Sequence, residues 1–311
     1  MNEVIMLVGA PASGKGTVAE RFKVKGYVHL NRDAAGGKVV DLVPAMTAAV
    51  KAKKSVILDN TFPTVESRQS FITAAKAAKA TIRCLLMDTT IEDAQVNACA
   101  RMMQRYGHLL TAQEMKASKD PNMFPIAVLF VYRKQFETPT LAEGFTAIDK
   151  EHFVRHWPAE FCNKALFLDY DGCLRETKSG AKFPTSADDI RILPGRTEVL
   201  KRYKKQGYVL LGISNQSGVS KGDLSSETAA ELFQATNRML GVDIPVRFCP
   251  HNPAPITCYC RKPCVGFAVE AIFLNKLNPA ECIFVGDQTS DRTLAARCGF
   301  KFIHASEFFK A

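Results

Sequence analysis

The chain has 311 residues, of which 47% are hydrophobic and 23% are charged. This composition is typical of a soluble globular protein with about two domains. No apolar stretch approaches the roughly 18 residues of a membrane span, and the first apolar run leads into a glycine turn rather than a signal-peptide cleavage site. We therefore expect an intracellular protein without a membrane segment.

The net charge and the cysteines give only weak indications of the substrate and of bound metals. The net charge of +10 at pH 7 is compatible with a polyanionic substrate, above all nucleic acid, but an ordinary basic enzyme explains it equally well. The ten cysteines lack the dense pattern of a secreted disulfide scaffold. They are expected to be reduced thiols, with some of them bound to a metal.

Short apolar runs alternate with helical patterns twice along the chain, which predicts two α/β domains with doubly wound parallel sheets. A weakly patterned stretch at 150–163 is interpreted as a linker, so the predicted domains are 1–158 and 159–311. The predicted strands of the first domain are VIMLVGA (4–10), YVHLN (27–31), SVILDNT (55–61) and IRCLLMD (82–88). Those of the second are KALFLDYDG (164–172), YVLLGISN (208–215), IPVRFCP (244–250), CIFVGDQ (282–288) and FKFIHA (300–305).

The first motif is a glycine-rich turn between the first strand and the first helix. It contains Gly9, Gly14, Lys15, Gly16 and Thr17. The glycines let backbone amides face a phosphate, and the lysine reaches its outer oxygens at the positive end of the helix. The residue after the lysine is glycine rather than the usual Ser or Thr, which is the variant of nucleoside monophosphate kinases. This motif predicts an ATP site with Mg²⁺, and either hydroxyl or carboxylate oxygens remain open as the metal ligands.

Other polar residues of the first half are candidates for kinase chemistry. Asp33 follows a predicted strand end, where its carboxylate can accept a proton from an attacking hydroxyl, or else cap the next helix. Asp59 ends a strand as a Walker-B-like acid would. Arg101 and Arg105 lie four residues apart on one predicted helix face, as a phosphate-binding lid or as a solvated basic face.

The second half carries the segments FLDYDGCL (167–174), LLGISNQSG (210–218), CRKP (260–263) and IFVGDQTSD (283–291). These four motifs and their order resemble those of haloacid dehalogenase-like phosphatases. In phosphatases with the DxDG motif, the first carboxylate attacks phosphorus, and the second exchanges protons with the leaving group and with water. Mg²⁺ screens the repulsion between these carboxylates and the phosphate. This resemblance makes Asp169 the nucleophile and Asp171 the acid/base, with both also as ligands of Mg²⁺. The later motifs supply Ser214 and Lys262 for the phosphoryl oxygens, Asp287 as a metal ligand and Asp291 as its support.

Four soft ligands precede Lys262 in the loop at 249–260. Cys249, His251, Cys258 and Cys260 have the spacing C-x-H-x₆-C-x-C, which suits a closed tetrahedral site for structural Zn²⁺. Free reduced cysteines are the alternative. The loop resembles the zinc loop of histidinol-phosphate and heptose-bisphosphate phosphatases.

Longer segments resemble polynucleotide kinase-phosphatases over nearly the whole chain. They are NRD (31–33), DNTFPTVESR (59–68), YRKQFETPTLAEGF (132–145), SGAKFPTSADDIRIL (179–193) and ASEFF (305–309). The resemblance implies transfer of the ATP γ-phosphate to a 5′-hydroxyl of DNA or RNA. It also implies that Asp33 is the general base, that Lys15 clamps the β and γ phosphates, and that Arg101 is the lid arginine, with Arg105 as its rival.

The spacing of the phosphatase motifs leaves no room for a large cap, so an open mouth would admit a polymer end or a sugar phosphate. The sequence thus predicts a bifunctional 5′-kinase and 3′-phosphatase that prepares DNA or RNA ends for a ligase. Two alternatives remain open. One is a nucleoside or sugar kinase fused to a sugar-phosphate phosphatase, and the other is a binding protein with two degenerate sites, although the intact set of motif residues argues against degeneracy.

Overall fold

The computed structural model describes residues 2–310, which divide into two compact units. The first unit holds residues 2–97 and 118–155, and the second holds 98–117 and 156–310. The predicted domains, 1–158 and 159–311, differ from this division mainly in the segment 98–117. No helix among the described residues is long and apolar enough to cross a membrane.

The first unit is built on a five-stranded sheet with parallel neighbours in the order β2-β3-β1-β4-β5. Its strands are β1 Glu3–Val8, β2 Val28–Leu30, β3 Val56–Asp59, β4 Thr81–Met87 and β5 Ile148–Glu151. The helices that begin before residue 136 are α1 Lys15–Val24, α2 Arg32–Ala35, α3 Val43–Lys51, α4 Val65–Ala77, α5 Ile91–Tyr106, α6 Ala112–Ser118 and α7 Ala127–Gln135. The division between the units falls within α5, and α6 lies almost wholly in the second unit.

Alternate residues of β1 bury against opposite faces of this sheet. Val4 and Met6 share one core with Met46 of α3 and Phe71 of α4. Ile5 and Leu7 point to the other face and join a second core with α1. Helices on both faces leave every β1 residue from Val4 to Val8 buried, which explains why this strand reads as a continuous apolar run.

The second unit repeats the architecture with parallel neighbours in the order β10-β9-β6-β11-β12. The remaining strands are β6 Ala165–Leu168, β7 Arg175–Thr177, β8 Ile190–Ile192, β9 Val209–Asn215, β10 Val246–Cys249, β11 Ile283–Gly286 and β12 Lys301–His304. Strands β7 and β8 form a separate antiparallel pair. The remaining helices are α8 Arg196–Lys205, α9 Ser217–Lys221, α10 Ser226–Leu240, α11 Gly266–Leu274, α12 Thr289–Cys298 and α13 Ala305–Phe308.

The two predicted parallel-sheet α/β folds are confirmed, but three strands were not predicted. Strand β5 overlaps the start of the segment interpreted as a linker. It was missed because its sequence Ile-Asp-Lys-Glu is polar: the strand lies at the sheet edge, and its two central residues are exposed. Strands β7 and β8 have only three residues each and carry charged residues. Neither kind of strand has the apolar run on which the sequence prediction depended.

Candidate functional sites

The glycine turn of the first unit wraps around its own lysine. Gly14 has the left-handed φ of 92°, which ends the turn before α1 begins at Lys15. The buried Lys15 Nζ donates to the carbonyl oxygens of Gly9 at 3.0 Å and Ala10 at 2.7 Å. Gly16 and Thr17 are exposed in the first turn of α1, where the helix dipole favours an anion.

Two side chains that follow β4 in the sequence donate hydrogen bonds to backbone carbonyls of this turn. Asn97 Nδ2 donates to the Ala12 carbonyl at 2.8 Å, and Thr89 Oγ1 donates to the Ser13 carbonyl at 2.8 Å. A trans peptide places its N–H opposite its C=O, so the bond to Ser13 directs the next amide to the other side of the loop. Neither residue was predicted from the sequence, although Asn97 lies four positions before Arg101 on the same helix face.

Arg155 fixes the orientation of the Asn97 amide. Its Nη1 donates to Asn97 Oδ1 at 2.5 Å, and its Nη2 donates to Asp93 Oδ1 at 2.9 Å. Because Asn97 Oδ1 accepts from this guanidinium, the amide nitrogen faces the Ala12 carbonyl. The chain therefore links the segment after β5 to the glycine turn through one amide side chain.

The carboxyl ends of β2 and β3 meet the same edge of the sheet as the turn. Asp59 is the last residue of β3, and its Oδ2 lies 3.3 Å from His29 Nε2. Asn31 Nδ2 donates to the Asp59 carbonyl at 2.7 Å. The Gly9 amide donates to the Thr61 carbonyl at 3.2 Å, which ties the glycine turn to the segment after β3. Ligands of open parallel sheets bind at this edge.

Asp33 lies on the short, exposed helix α2 that follows β2. Its carboxylate is paired with Arg32, and its amide donates to the side chain of Asn31 at 2.7 Å, which caps the helix. Asn60 Oδ1 accepts from the Arg32 amide at 3.2 Å and so connects this segment to β3. The role of Asp33 as a general base stays a prediction.

The two lid candidates lie on α5 as the sequence predicted. Arg101 is half-buried and Arg105 is exposed, and both belong to the part of α5 that is counted with the second unit. Their role in phosphate binding also stays a prediction.

Two of the segments that resemble the kinase family are joined by a buried ion pair. Arg68 of the DNTFPTVESR segment donates from Nε and Nη2 to the two carboxylate oxygens of Glu143 at 2.7 and 3.0 Å. Its Nη1 donates to the Phe62 carbonyl at 3.0 Å. Glu137 accepts from the Val65 amide at 2.6 Å and extends the same junction. Through this ion pair and these hydrogen bonds, the segment 132–145 is joined to the segment that follows β3.

In the second unit, two carboxylates pair with one buried lysine, and a third carboxylate lies beside those two. Lys262 Nζ lies 2.9 Å from Asp169 Oδ1 and 2.7 Å from Asp291 Oδ1 as ion pairs. Oxygens of Asp169, Asp287 and Asp291 all lie within 4.8 Å of one another. Asp169 follows β6 directly and Asp287 follows β11, so neighbouring parallel strands bring them together. The predicted residues are thus assembled at the carboxyl edge of the sheet.

Burial and charge shift the pKa values of this cluster in defined directions. Burial raises the pKa of Asp169 to about 7, and Asp291 adds to the rise while Lys262 opposes it. Burial alone would lower the pKa of Lys262, but the carboxylates of Asp169 and Asp291 outweigh it and raise that pKa above its ordinary value. The lysine therefore stays cationic, as a residue that neutralises a phosphoryl group must.

The three carboxylates fit a hard divalent cation such as Mg²⁺. Carboxylate oxygens are its preferred protein ligands. Asp287 Oδ1 is buried and has no hydrogen-bond partner among residues 2–310, which leaves it available to a cation. The side chain of Asp171 lies outside this set, so its predicted metal role stays a prediction. Asp291 belongs to it, where the sequence analysis gave it a supporting role.

Asp171 is held instead by hydrogen-bond donors on both oxygens. Arg175 Nε donates to Oδ1 at 2.8 Å and Gln216 Nε2 donates to Oδ2 at 2.8 Å. Gln216 Nε2 also lies 3.1 Å from the Oγ of Ser214, which is buried beside it. Gly172 has a φ of 80°, and a Cβ there would lie 2.6 Å from Asp287, so this turn admits only glycine without a shift.

Asn215 positions the backbone of Lys262. Its Oδ1 accepts from the Lys262 amide at 3.0 Å, and its Nδ2 donates to the Lys262 carbonyl at 3.0 Å. Asn215, Gln216 and Arg175 were not predicted from the sequence. A run of polar residues after an apolar strand, as in Ser-Asn-Gln at the end of β9, is the signal that points to the first two.

The predicted zinc ligands converge. Cys249 Sγ lies 3.7 Å from Cys258 Sγ, and His251 Nδ1 lies 3.4 Å from the sulfurs of both Cys249 and Cys260. All four ligand atoms lie within 4.8 Å of one another. Tetrahedral zinc with Zn–S bonds of about 2.3 Å separates two sulfurs by about 3.8 Å, so the cluster has the size of a zinc site. The remaining seven cysteines carry no disulfide, and all but Cys162 are buried.

A cleft of about 330 Å³ opens beside Asp171 along the β7–β8 pair. Its lining carries Lys178, Lys182 and Arg191, and besides Asp171 one further acidic residue, Glu176, which pairs with Arg191 at 2.9 Å. Between Asp171 and Ser214 the chain forms this strand pair, short turns, α8 and the start of β9. Between Ser214 and Lys262 it forms α9, α10, β10 and the loop at 249–260, so neither interval holds a large cap, as predicted.

Comparison with known proteins finds curated relatives that each match a little under half of the chain. The chain is 32% identical to the bifunctional polynucleotide phosphatase/kinase of Schizosaccharomyces pombe over 152 residues, 49% of this chain and 34% of that protein. It is 33% identical to the D-glycero-beta-D-manno-heptose-1,7-bisphosphate 7-phosphatase of Haemophilus influenzae, over 42% of this chain and 73% of that one. The chain therefore spans only about a third of the first relative.

A chain in the solved structure of the Pnkp1/Rnl/Hen1 RNA repair complex aligns with 97% of this chain and over 95% of its own length, at 18% identity and a TM-score of 0.32. This structural similarity is too low to support an inference. The family model described as polynucleotide kinase 3 phosphatase matches residues 164–309 and includes every phosphatase residue described above. Residues 164–309 are therefore similar to the phosphatase that this family model describes.

Proposed function

We propose that the chain is a bifunctional enzyme that phosphorylates 5′-hydroxyl ends and removes 3′-phosphates from DNA or RNA. The observation that carries the proposal is the pairing of two phosphate-handling sites in one chain. A glycine turn with Lys15 lies in the first unit, and a phosphatase site that resembles the polynucleotide family lies in the second. The product ends, a 5′-phosphate and a 3′-hydroxyl, are the substrates of a ligase, which is the expected functional partner.

In the kinase step, the 5′-hydroxyl oxygen attacks the γ-phosphorus of ATP, and the bond from that phosphorus to the bridging oxygen of ADP breaks. Asp33 takes the hydroxyl proton, while Lys15 and the start of α1 neutralise the phosphates. The resemblance to the kinase family implies a further positive charge from a lid arginine, for which Arg101 is the candidate and Arg105 its rival. A bound Mg²⁺ would neutralise charge on the phosphates, with Asp59 as the acid beside it.

In the phosphatase step, a carboxylate oxygen of Asp169 attacks phosphorus and the ester bond breaks. The ester oxygen takes a proton from Asp171 and leaves as the 3′-hydroxyl. Water then attacks the aspartyl-phosphate and gives its proton to Asp171, which releases inorganic phosphate and restores Asp169. Lys262 and Ser214 bind the phosphoryl oxygens, and Mg²⁺ held by Asp169, Asp287 and Asp291 would screen the negative charges.

A structural Zn²⁺ in the loop at 249–260 would order the segment that ends at Lys262. The closed set of three sulfurs and one imidazole leaves no position for a substrate, so the expected role is in stability. Reduced thiols and bound zinc are consistent with an intracellular protein.

End labelling tests the kinase. The purified chain is incubated with γ-labelled ATP, Mg²⁺ and a 5′-hydroxyl oligonucleotide, with nucleosides and sugars tested separately. We expect label on the oligonucleotide, and label on the small molecules alone would overturn the proposal.

A second candidate for residues 164–309 is a sugar-phosphate phosphatase, because the similarity to the heptose-bisphosphate enzyme covers 73% of that protein. Phosphate release from a 3′-phosphorylated oligonucleotide, heptose bisphosphate and histidinol phosphate at two salt concentrations separates the two. The basic lining of the cleft favours a polyanion, so the rate should rise over the first few nucleotides of length and the gain should shrink with salt. Much faster turnover of either small molecule would favour the second candidate.

A further inference from the structure

A buried arginine contacts the carboxylate that exchanges protons in the proposed phosphatase reaction. Arg175 is the first residue of β7 and only 2% exposed. Its Nε donates to Asp171 Oδ1 at 2.8 Å. A buried guanidinium is strongly unfavourable unless charged and hydrogen-bonding groups satisfy it, so its position depends on its partners.

The other end of the guanidinium is anchored on α10. Arg175 Nη1 donates to the Leu232 carbonyl at 2.9 Å and to Thr236 Oγ1 at 2.8 Å, and the guanidinium lies 4.9 Å from the ring centre of Phe233. Because the guanidinium is planar and rigid, anchoring Nη1 also sets the direction in which Nε points. The arginine thus connects Asp171 to a long helix of the second unit.

Gln216 completes the arrangement on the second oxygen. Its Nε2 donates to Asp171 Oδ2 at 2.8 Å, and its own backbone amide donates to the Cys249 carbonyl at 2.8 Å. With a fixed donor on each oxygen, the carboxylate plane of Asp171 has one preferred orientation.

We infer that Arg175 is a positioning residue of the phosphatase, which holds Asp171 in the orientation needed to give a proton to the leaving oxygen. This inference rests on the proposed phosphatase activity. It extends that activity, because neither Arg175 nor its link to α10 is part of the four motifs.

The choice of leaving group separates positioning from a merely structural role. A 3′-hydroxyl is a poor leaving group and needs a proton as its ester bond breaks, whereas p-nitrophenolate leaves without one. The value of kcat/KM reports the steps up to the first irreversible one, which is cleavage of the ester. A misplaced Asp171 should therefore slow an alkyl phosphate far more than p-nitrophenyl phosphate.

The experiment measures kcat/KM of Arg175→Met, Arg175→Lys and the wild-type chain with a 3′-phosphorylated oligonucleotide, heptose bisphosphate and p-nitrophenyl phosphate. Arg196→Met is the matched control, since Arg196 donates to the Cys173 carbonyl at 3.0 Å in the same region and makes no contact with Asp171. Thermal unfolding of each variant, followed by circular dichroism, monitors its folding.

We expect Arg175→Met to lower kcat/KM for the hydrolysed alkyl phosphate about 100-fold, in line with the loss of general acid catalysis, and for p-nitrophenyl phosphate less than about 5-fold. Arg175→Lys should recover part of the loss, and Arg196→Met should change both substrates by a similar small factor. If Arg175→Met does not fold, the lysine variant must show the same dependence on leaving group.

An equal loss on both kinds of substrate, or no loss, would overturn the inference. A wild-type chain that hydrolyses heptose bisphosphate but no oligonucleotide refutes the proposed substrate, and the leaving-group comparison then decides the role of Arg175 on the sugar phosphate. A wild-type chain that hydrolyses none of the three esters refutes the proposed phosphatase and the inference together.

Discussion

Removal of the charge from Glu143 should strongly destabilise the first unit. The side chains of Arg68 and Glu143 are 0% and 5% exposed, and two hydrogen bonds join them. Glu143→Gln keeps the volume and one acceptor oxygen, which can still accept from the Thr140 amide as Glu143 does at 2.9 Å. However, it turns an amide NH₂ toward the guanidinium and leaves the buried charge of Arg68 without a counter-charge.

Breaking a buried ion pair by removing one partner costs about 3–5 kcal/mol. For a unit of this size that loss corresponds to a fall in the unfolding temperature of roughly 10–20 °C. Glu66→Gln is the matched control, because Glu66 is exposed in the first turn of α4 and its charge contributes less than about 1 kcal/mol.

The assay follows hydrogen exchange of α4 amides in increasing urea. The single tryptophan, Trp157, lies in the second unit, so its fluorescence serves as an internal control. We expect Glu143→Gln to shift the α4 transition to clearly lower urea and to leave the Trp157 transition in place. An α4 shift no larger than that of Glu66→Gln would refute the claim that Arg68 depends on its counter-charge.

Three further predictions concern the proposed sites. Asp33→Asn should lower kinase activity at least 100-fold and spare the phosphatase, and Asp169→Asn should do the reverse, because the two residues lie in separate units; equal loss of both activities in a folded variant would contradict independent sites. Asn97→Ala removes one hydrogen bond from the glycine turn and should raise KM for ATP about 5- to 10-fold at unchanged phosphatase activity, whereas an unchanged KM would show that the bond to Ala12 is dispensable. Metal analysis should find about one Zn²⁺ per chain in protein purified without chelators, and Cys258→Ser should lower both the zinc content and the stability of the second unit; the absence of zinc from the wild-type protein would exclude the site.

Most of the fold and of the site inventory could be predicted from local sequence. Strands such as β1 and β6 are buried on both faces, so they read as apolar runs, and the chemistry-bearing residues follow them directly because the carboxyl ends of parallel strands share one edge. The four Cys and His ligands lie within twelve residues of one another, and short spacing is enough to bring them together. The resemblance to known families then assigned roles to these positions.

The amino-acid sequence by itself determined the two α/β patterns and the identity of the reactive side chains, because burial periodicity and motif spacing are local properties. Only the tertiary structure decided which distant residues hold those side chains in place. Asn97 reaches the Ala12 carbonyl across 85 positions, Arg175 meets Thr236 across 61, and both bonds exist only once the sheet has set the helices beside its edge. A hydrogen bond requires its two atoms to approach within about 3 Å in a defined direction, and no spacing along an unfolded chain encodes that approach.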